Sequence, residues 1–268
     1  MTRLAAALAV AVACLALPLQ AAELTLRYAA PAPDTPQGWE QQALPIGNGR
    51  LGAMLFGQVA RERLQFNDIT LWTGDAKVMG AYQPFGDVVL ELDGAAGPVS
   101  DYRRELDIGR ARHRVRYTQG GVRFERETLA SHPAQVIAWR LSASRPGRYS
   151  GRITLTDRHG ATLSASGSTL TAVGALPNGL AYASQLRVLH EGGSITAEGN
   201  SLTLRGVNAL TLILGAGTSY RDGQVDGPAP LPRVQAQVAA APPWPRLRAE
   251  HDRDIQALLG RVQLDLGT

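Results

Sequence analysis

For most of its length the chain alternates apolar and polar residues at period two, the spacing of a strand with one face buried. "VRFERETLA" places Val122, Phe124, Arg126 and Thr128 on one face. "HRVRYT", "VIAWRLS", "GRITLT", "STLTAV", "QLRVLH", "NSLTLRG" and "ALTLILG" are further short strand candidates. Turn signals separate them at Gly120-Gly121, Pro146-Gly147, His159-Gly160, Ser166-Gly167, Gly192-Gly193 and Gly199-Asn200. Turns roughly 8–12 residues apart point to a sandwich or barrel of roughly ten or more strands. The absence of a fixed internal repeat argues against a propeller.

Charge fits the same picture. The net charge is +4 and nearly all of the positive side is arginine, Lys77 being the only lysine. In "YRRELDIGRARHRVRY" and "VRFERETLAS" the arginines are interleaved with acids and apolar residues. Such interleaving is expected of the solvent face of an antiparallel sheet, and it lacks the basic stripe of a nucleic-acid binder. No nucleic-acid partner is expected.

The stretch "ALPIGNGRLGAMLFG" contains Gly47, Gly49 and Gly52 in the pattern G-x-G-x-x-G. A dinucleotide fingerprint needs a buried strand before the first glycine and a helix after the third. Here Pro45 interrupts the apolar piece before it, and Gly57 falls where the helix should be established. The glycines instead predict turns of positive φ and close backbone approach at the edge of the strand "LGAMLFG". Neither a nucleotide nor any other cofactor is expected, and no metal site.

The chain opens "MTRLAAALAVAVACLALPLQAA", with Arg3, an apolar run from Leu4 to Leu17, Pro18 and small residues. This is the layout of a secretory signal peptide cut after Ala21. The apolar run is shorter than the roughly 20 residues a spanning helix needs. Residues 1–21 are therefore assigned to the signal, with export to the periplasm or beyond a bacterial cell and no membrane span. "AVAC" is a faint alternative, a lipoprotein site at Cys14, with Ala11 in place of the usual Leu. Cys14 is the only cysteine, so a chain cut after Ala21 has no disulfide and relies on its core.

After "LTLILGAGTSY" the texture changes. Residues 221–268 begin with the Pro-, Gly- and Ala-rich "RDGQVDGPAPLPRVQAQVAAAPPWP", read as a linker with one short helix. "RLRAEHDRDIQALLG" has helical spacing at Leu247, His251, Ile255, Leu258 and Leu259, with Gly260 as its stop. A strand-like "RVQLDLGT" closes the chain.

Several blocks occur in a telling order: "ALPIGNGRLGAMLFG", "ERLQFNDITLWTG", "YQPFGDVVLEL", "DYRRELDI", "FERETLASHPAQVIAWRL" and "RVQLDLG". Together they resemble the amino-terminal domain of glycoside hydrolase family 95, the α-1,2-L-fucosidases. The resemblance runs from about Leu24 to Thr268. It implies a large antiparallel β-sandwich over residues 22–220, then a linker helix over 221–268, then an (α/α)6 barrel that carries an inverting catalytic centre. The barrel is absent from this sequence. The family's catalytic acid, asparagines and aspartate have no matching positions here, so no catalytic residue is assigned. An inverting site needs two groups about 6.5–9.5 Å apart, and no acid pair here matches the family's motif. Asp157 and His159 in "TDRHG" are read as surface residues of a turn.

The resemblance makes the chain the non-catalytic part of an exported α-L-fucosidase-like hydrolase acting on fucosylated glycans. The alternative is a stand-alone carbohydrate-binding or interaction module of the same fold. Partners implied are a fucosylated oligosaccharide, and a separately encoded barrel or a second copy of the chain against the apolar helix. The candidate sugar-contact or domain-interface residues are Asn48, Arg50, Asn67, Asp68, Thr70 and Trp72. Asp68 stands where the family usually has Glu, and its shorter arm reaches less far. Trp72 has two readings, a core or interface anchor or a ring stacked on a sugar. Asn48 and Arg50 likewise either order a domain interface, or are a turn residue tolerant of left-handed φ and a solvated cation.

Overall fold

The computed structural model describes residues 24–75, 77–94 and 97–262. The signal segment and the closing "QLDLGT" lie outside the described residues. In chain order the first elements are β1 (Thr25–Tyr28), the short helix α1 (Pro36–Gln41), β2 (Leu44–Gly47), β3 (Leu51–Leu55), β4 (Arg61–Asp68) and β5 (Gly86–Leu92). Next come β6 (Val99–Asp107), β7 (Arg112–Gln119), β8 (Val122–Ser131), β9 (Val136–Ala143) and β10 (Tyr149–Asp157). Then follow β11 (Thr162–Ser166), β12 (Thr169–Ala175), β13 (Ala181–Glu191), β14 (Ser194–Glu198), β15 (Ser201–Val207) and β16 (Ala209–Thr218). Two helices close the described chain, α2 (Leu231–Ala240) and α3 (Trp244–Leu259).

The strands form two antiparallel layers. One is nine-stranded in the order β1-β6-β7-β8-β9-β16-β13-β12-β11, the other seven-stranded in the order β14-β15-β10-β5-β4-β3-β2. This is the mainly β sandwich that the resemblance implies, and of the sandwich and barrel left open by the alternation it is the former. Leu90, Ile153, Leu155 and Leu204 of the seven-stranded layer meet Val115, Leu141, Leu186 and Leu212 of the nine-stranded layer in one core. Pro45 is tolerated because β2 is the outermost strand of its sheet, where a missing N–H leaves no ladder bond unmade.

The glycine pattern is a hairpin. Gly47 and Gly52 face each other across β2 and β3, and Gly49 takes the positive φ of 87° that the turn demands. No helix follows the third glycine, so the geometry of a dinucleotide fold is missing here.

Within residues 221–268, the short helix read in the Pro- and Ala-rich stretch is α2, ten residues long, and the helical spacing after it is α3. α2 and α3 lie on the outer face of the nine-stranded sheet. There Val238 and Leu247 join Leu129, Val136, Ala138 and Ile213 in a second core. β16 is consequently buried along its whole length. A side chain on Gly215 would put its Cβ 2.8 Å from Val238 Cγ2, so the bare backbone there lets α2 lie close. The stripe expected on α3 divides in two: Leu247 and His251 are buried, whereas Leu258 and Leu259 are 53% and 50% exposed.

The reading of the arginines as a solvent face is overturned at three positions, since Arg104, Arg112 and Arg126 are buried. Arg112 is covered by α3 and is ion-paired to Glu127 at 3.3 Å and to Asp252 at 3.3 Å. Arg104 and Arg126 point between the sheets, where carbonyls of distant segments take their protons. Arg104 donates to Gln42 O at 2.8 Å, and Arg126 to Gln58 O at 2.5 Å and Val59 O at 2.6 Å. Nothing in the local alternation signals these acceptors.

Candidate functional site

Four of the residues singled out by sequence converge where the β2–β3 turn meets the end of β4. Asn48 Oδ1 accepts from the backbone N–H groups of Arg50 at 3.0 Å and Leu51 at 2.7 Å, closing the turn. Its Nδ2 donates to Ser131 O at 2.9 Å, which ties the turn to the opposite sheet. Asn48 is thus a buried cap, and the left-handed φ falls to Gly49 instead.

Arg50 is not a solvated cation. Its Nη1 donates to Asp68 Oδ2 at 2.5 Å and to Ala216 O at 2.7 Å, its Nε to Gln135 Oε1 at 2.8 Å, and its Nη2 to Gln135 O at 3.3 Å. Asp68 is buried, and its other oxygen accepts from the Thr70 N–H at 2.9 Å and the Thr70 hydroxyl at 2.6 Å. The Thr70 hydroxyl in turn lies 2.5 Å from that of Thr218. A short Asp arm suits this cluster because both its partners already stand against it. Guanidinium-to-carboxylate bonds of this kind are charge-assisted and directional. The bond to Asp68 holds Arg50 against β4 while its remaining donors, on Ala216 O and Gln135, join the β2–β3 turn to β16 and the β8–β9 turn of the other layer.

Asn67 does not join them. Side chains alternate along a strand, so Asn67 faces away from Phe66 and Asp68, and its Oδ1 is buried without a partner among the described residues. Trp72 lies beyond the network, in the loop between β4 and β5. It is 40% exposed and so is not a core residue. Its indole N–H donates to Met79 O at 2.5 Å, and its ring lies 6.2 Å from that of Tyr82, tilted by 40°.

The loop holds Trp72 by close backbone approach. A Cβ on Gly74 would lie 2.2 Å from Met79 O, and one on Gly80 would lie 2.1 Å from Gly74 N. Asp75 accepts from the N–H groups of Lys77 and Val78, which holds its carboxyl below the usual range. Asn178 braces the loop from β12–β13, donating to Trp72 O at 2.9 Å and Gly74 O at 3.0 Å. Burial, and secondarily the charge of Asp68, push the Tyr82 phenol upward. Ile69, Trp72, Val78, Met79 and Tyr82 together expose an apolar and aromatic surface. Beside Thr218 a depression of about 390 Å³ opens, lined by Tyr220, Arg221 and Arg233 among others.

Sequence reasoning missed Gln135, Asn178 and Thr218. They come from turns and strand ends far along the chain, with no motif of their own. Asp157 and His159 serve their turn: Asp157 Oδ2 accepts from the N–H groups of His159 and Ala161 at 2.7 Å each, and His159 Nε2 meets Pro84 O at 2.8 Å. Among the described residues no group of three or more His, Cys, Asp or Glu side chains is placed to hold a metal ion. Among them, too, no helix is long and apolar enough to cross a membrane. With Asp68 doubly engaged and Arg50 donating four bonds, the cluster braces a surface and offers no free acid–base pair.

The model of the glycosyl hydrolase family 65 N-terminal domain matches residues 26–80 and 75–223. Alpha-L-fucosidase 2 of Arabidopsis thaliana is 29% identical over 300 residues, an alignment covering 84% of this chain and 35% of that protein. "Probable alpha-fucosidase A" of Aspergillus oryzae is 24% identical over 284 residues, covering 84% of this chain and 39% of that protein. The chain therefore spans little more than a third of the length of these relatives. The resemblance to an amino-terminal fucosidase domain holds, although the matching family model carries the number 65 rather than 95.

Proposed function

The chain belongs to the family of glycosyl hydrolase family 65 N-terminal domains, and on that premise we propose that it is the non-catalytic β-sandwich of an exported α-L-fucosidase-like hydrolase acting on fucosylated glycans. One observation carries this reading. The Asn48–Arg50–Asp68–Thr70 cluster spends its hydrogen bonds on internal partners, and the loop it adjoins presents Trp72 and Tyr82 outward. That combination is a rigid platform for contact, with the chemistry supplied elsewhere. Rigid aromatic anchors are what contact surfaces use.

The relatives named above are α-fucosidases in which the matched region is the smaller part. The remaining part, on the same polypeptide or encoded separately, is the proposed partner of the platform and of the exposed end of α3. Self-association through Leu258 and Leu259 would occupy the same apolar surface. The opening "MTRLAAALAVAVACLALPLQAA" supports export from a bacterial cell.

The test is an assay of fucose release from 2′-fucosyllactose by the purified 268-residue chain. No release is expected. Turnover that copurifies with the chain and persists through repeated purification overturns the non-catalytic assignment.

A further inference from the structure

A shallow depression of about 380 Å³ opens on the outer side of the seven-stranded sheet, lined by Asp34, Thr35, Pro36, Trp39, Arg63 and Gln65. Its volume lies at the lower end of the range of small-ligand sites. Arg63 and Gln65 alternate along β4 with the core residues Leu64 and Phe66, which directs them outward. Trp39 stands at the rim on α1, 41% exposed.

α1 is firmly seated for so short a helix. Thr35 Oγ1 caps it by accepting from the Gly38 N–H at 3.0 Å. Gly38 lies so close to the preceding chain that a Cβ there would stand 2.0 Å from Pro33 O. The indole is thereby presented on a pinned backbone, so little ordering of that backbone is left to be done when a ligand arrives.

The polar lining divides into committed and uncommitted groups. Asp34 pairs with Arg63 at 2.7 Å and with Arg61 at 3.0 Å, and the Arg63 guanidinium also lies 4.4 Å from the Phe56 ring centre. Those contacts fix the floor and balance its charge. Among the described residues, the half-buried Gln65 carboxamide and the Trp39 indole N–H have no hydrogen-bond partner. A carboxamide offers both donors and an acceptor, which suits vicinal hydroxyls. An exposed indole suits a ring face that clusters C–H bonds, as a pyranose face does. A lining with balanced charge does not select for an anion or a cation.

We propose that this depression binds a neutral oligosaccharide, with one pyranose ring stacked on Trp39 and its hydroxyls bonded by the Gln65 carboxamide. The inference stands on this depression alone and does not depend on the fucosidase reading. Free Trp39 with a paired Asp34 floor is the pattern that carries it.

The test is ligand-observed saturation-transfer NMR on the full chain with lactose, 2′-fucosyllactose and cellotetraose, each at millimolar concentration, where weak binding of this kind is seen. Transfer to at least one sugar is expected. It should fall by about tenfold or more in Trp39→Ala and in Gln65→Ala, and be retained in Trp72→Ala. Gln65→Ala keeps the proposal falsifiable if Trp39→Ala proves unstable, since Gln65 bonds to no described side chain; a thermal melt of each variant verifies the fold. Absence of transfer from all three sugars overturns the proposal. So does transfer that survives Gln65→Ala, or that is lost in Trp72→Ala while Trp39→Ala retains it.

Discussion

Arg50 Nη1 and Asp68 Oδ2 lie 2.5 Å apart, a bond made between a hairpin turn and the last residue of β4, and the same Nη1 also reaches Ala216 O in the opposite layer at 2.7 Å. One guanidinium thereby latches the two β-layers at this end, beside the Asn48–Ser131 and Thr70–Thr218 bonds that also cross between them.

Removing the latch is expected to be destabilising because Asp68 is buried and loses its counter-charge. Arg50→Ala should cost about 2–3 kcal/mol, below the value for a fully buried pair because the arginine side chain is 24% exposed. The double change Arg50→Ala with Asp68→Ala should cost less than the sum of the single changes. Urea denaturation of the four proteins measures both quantities; strict additivity would show that the bond contributes nothing specific.

The opposite end of the layer interface carries two titrating groups with opposed effects. Burial, assisted by the neighbouring Arg104 and Arg126 charges, pushes His113 down to about 3 from an ordinary value of 6.5. Between those limits the unfolded chain binds a proton that the folded chain refuses, so this contribution to stability falls as pH drops from about 6.5 toward 3, by up to roughly 1.4 kcal/mol per pH unit. Burial pushes Glu62 up to about 7 from 4.5, against the pull of Arg126. There the folded chain binds the extra proton, and stability is lost as pH rises from about 4.5 through 7. The two slopes oppose each other between about 4.5 and 6.5. In His113→Leu only the Glu62 slope survives, so the variant should gain stability relative to the parent as pH is lowered from 6.5. Parallel denaturation curves at pH 7 and pH 4.5 that keep a constant offset would refute the assignment.

The Trp72 loop contains Lys77, the only lysine in the chain, so a lysine-specific protease reads the opening of that loop alone. Gly74→Ala would drive a Cβ to 2.2 Å from Met79 O, a rigid neighbour that must move. Cleavage after Lys77 should accelerate severalfold in the variant, with global stability changed by no more than about 0.5 kcal/mol because the loop is exposed. Equal cleavage rates would mean that the close approach does not hold the loop.

α3 offers a test within a single helix. Leu247→Ala should cost about 2–5 kcal/mol as a core truncation, since Leu247 is fully buried. Replacing Leu258 and Leu259 by Gln should leave stability within about 0.5 kcal/mol and reduce any self-association seen by light scattering. A large loss from the distal pair would place those residues against the protein in solution.

Much of this was legible in the chain itself. Period-two alternation located β7–β10, β12, β13, β15 and β16, whose side chains reach a common core, but not the short edge strands β11 and β14, which alternate exposed and half-buried residues with little apolar signal. Asn48, Arg50, Asp68 and Thr70 were legible as a group because they sit together in two short blocks. Their partners were not. Gln135 and Ala216 lie 85 and 166 positions from Arg50, and pairing at that distance follows from sheet order, which local pattern does not encode. Arg104, Arg112 and Arg126 misled for the same reason: an arginine on an alternating strand looks solvated until a second segment arrives with carbonyls or acids. The apolar spacing of α3 likewise did not reveal that its stripe is covered at Leu247 and bare at Leu258.

β16 lies between β9 and β13 in the sheet, yet among the strands of the described residues it is the last to be synthesised. Until residues 209–218 leave the ribosome, two long partner strands each present an unpaired edge, the situation in which chains join their neighbours instead of themselves. The nine-stranded layer cannot close from its amino terminus onward. Its assembly waits for a late insertion between segments already made, so folding should be slow for its size and most vulnerable to a holdase or to aggregation just before that strand appears.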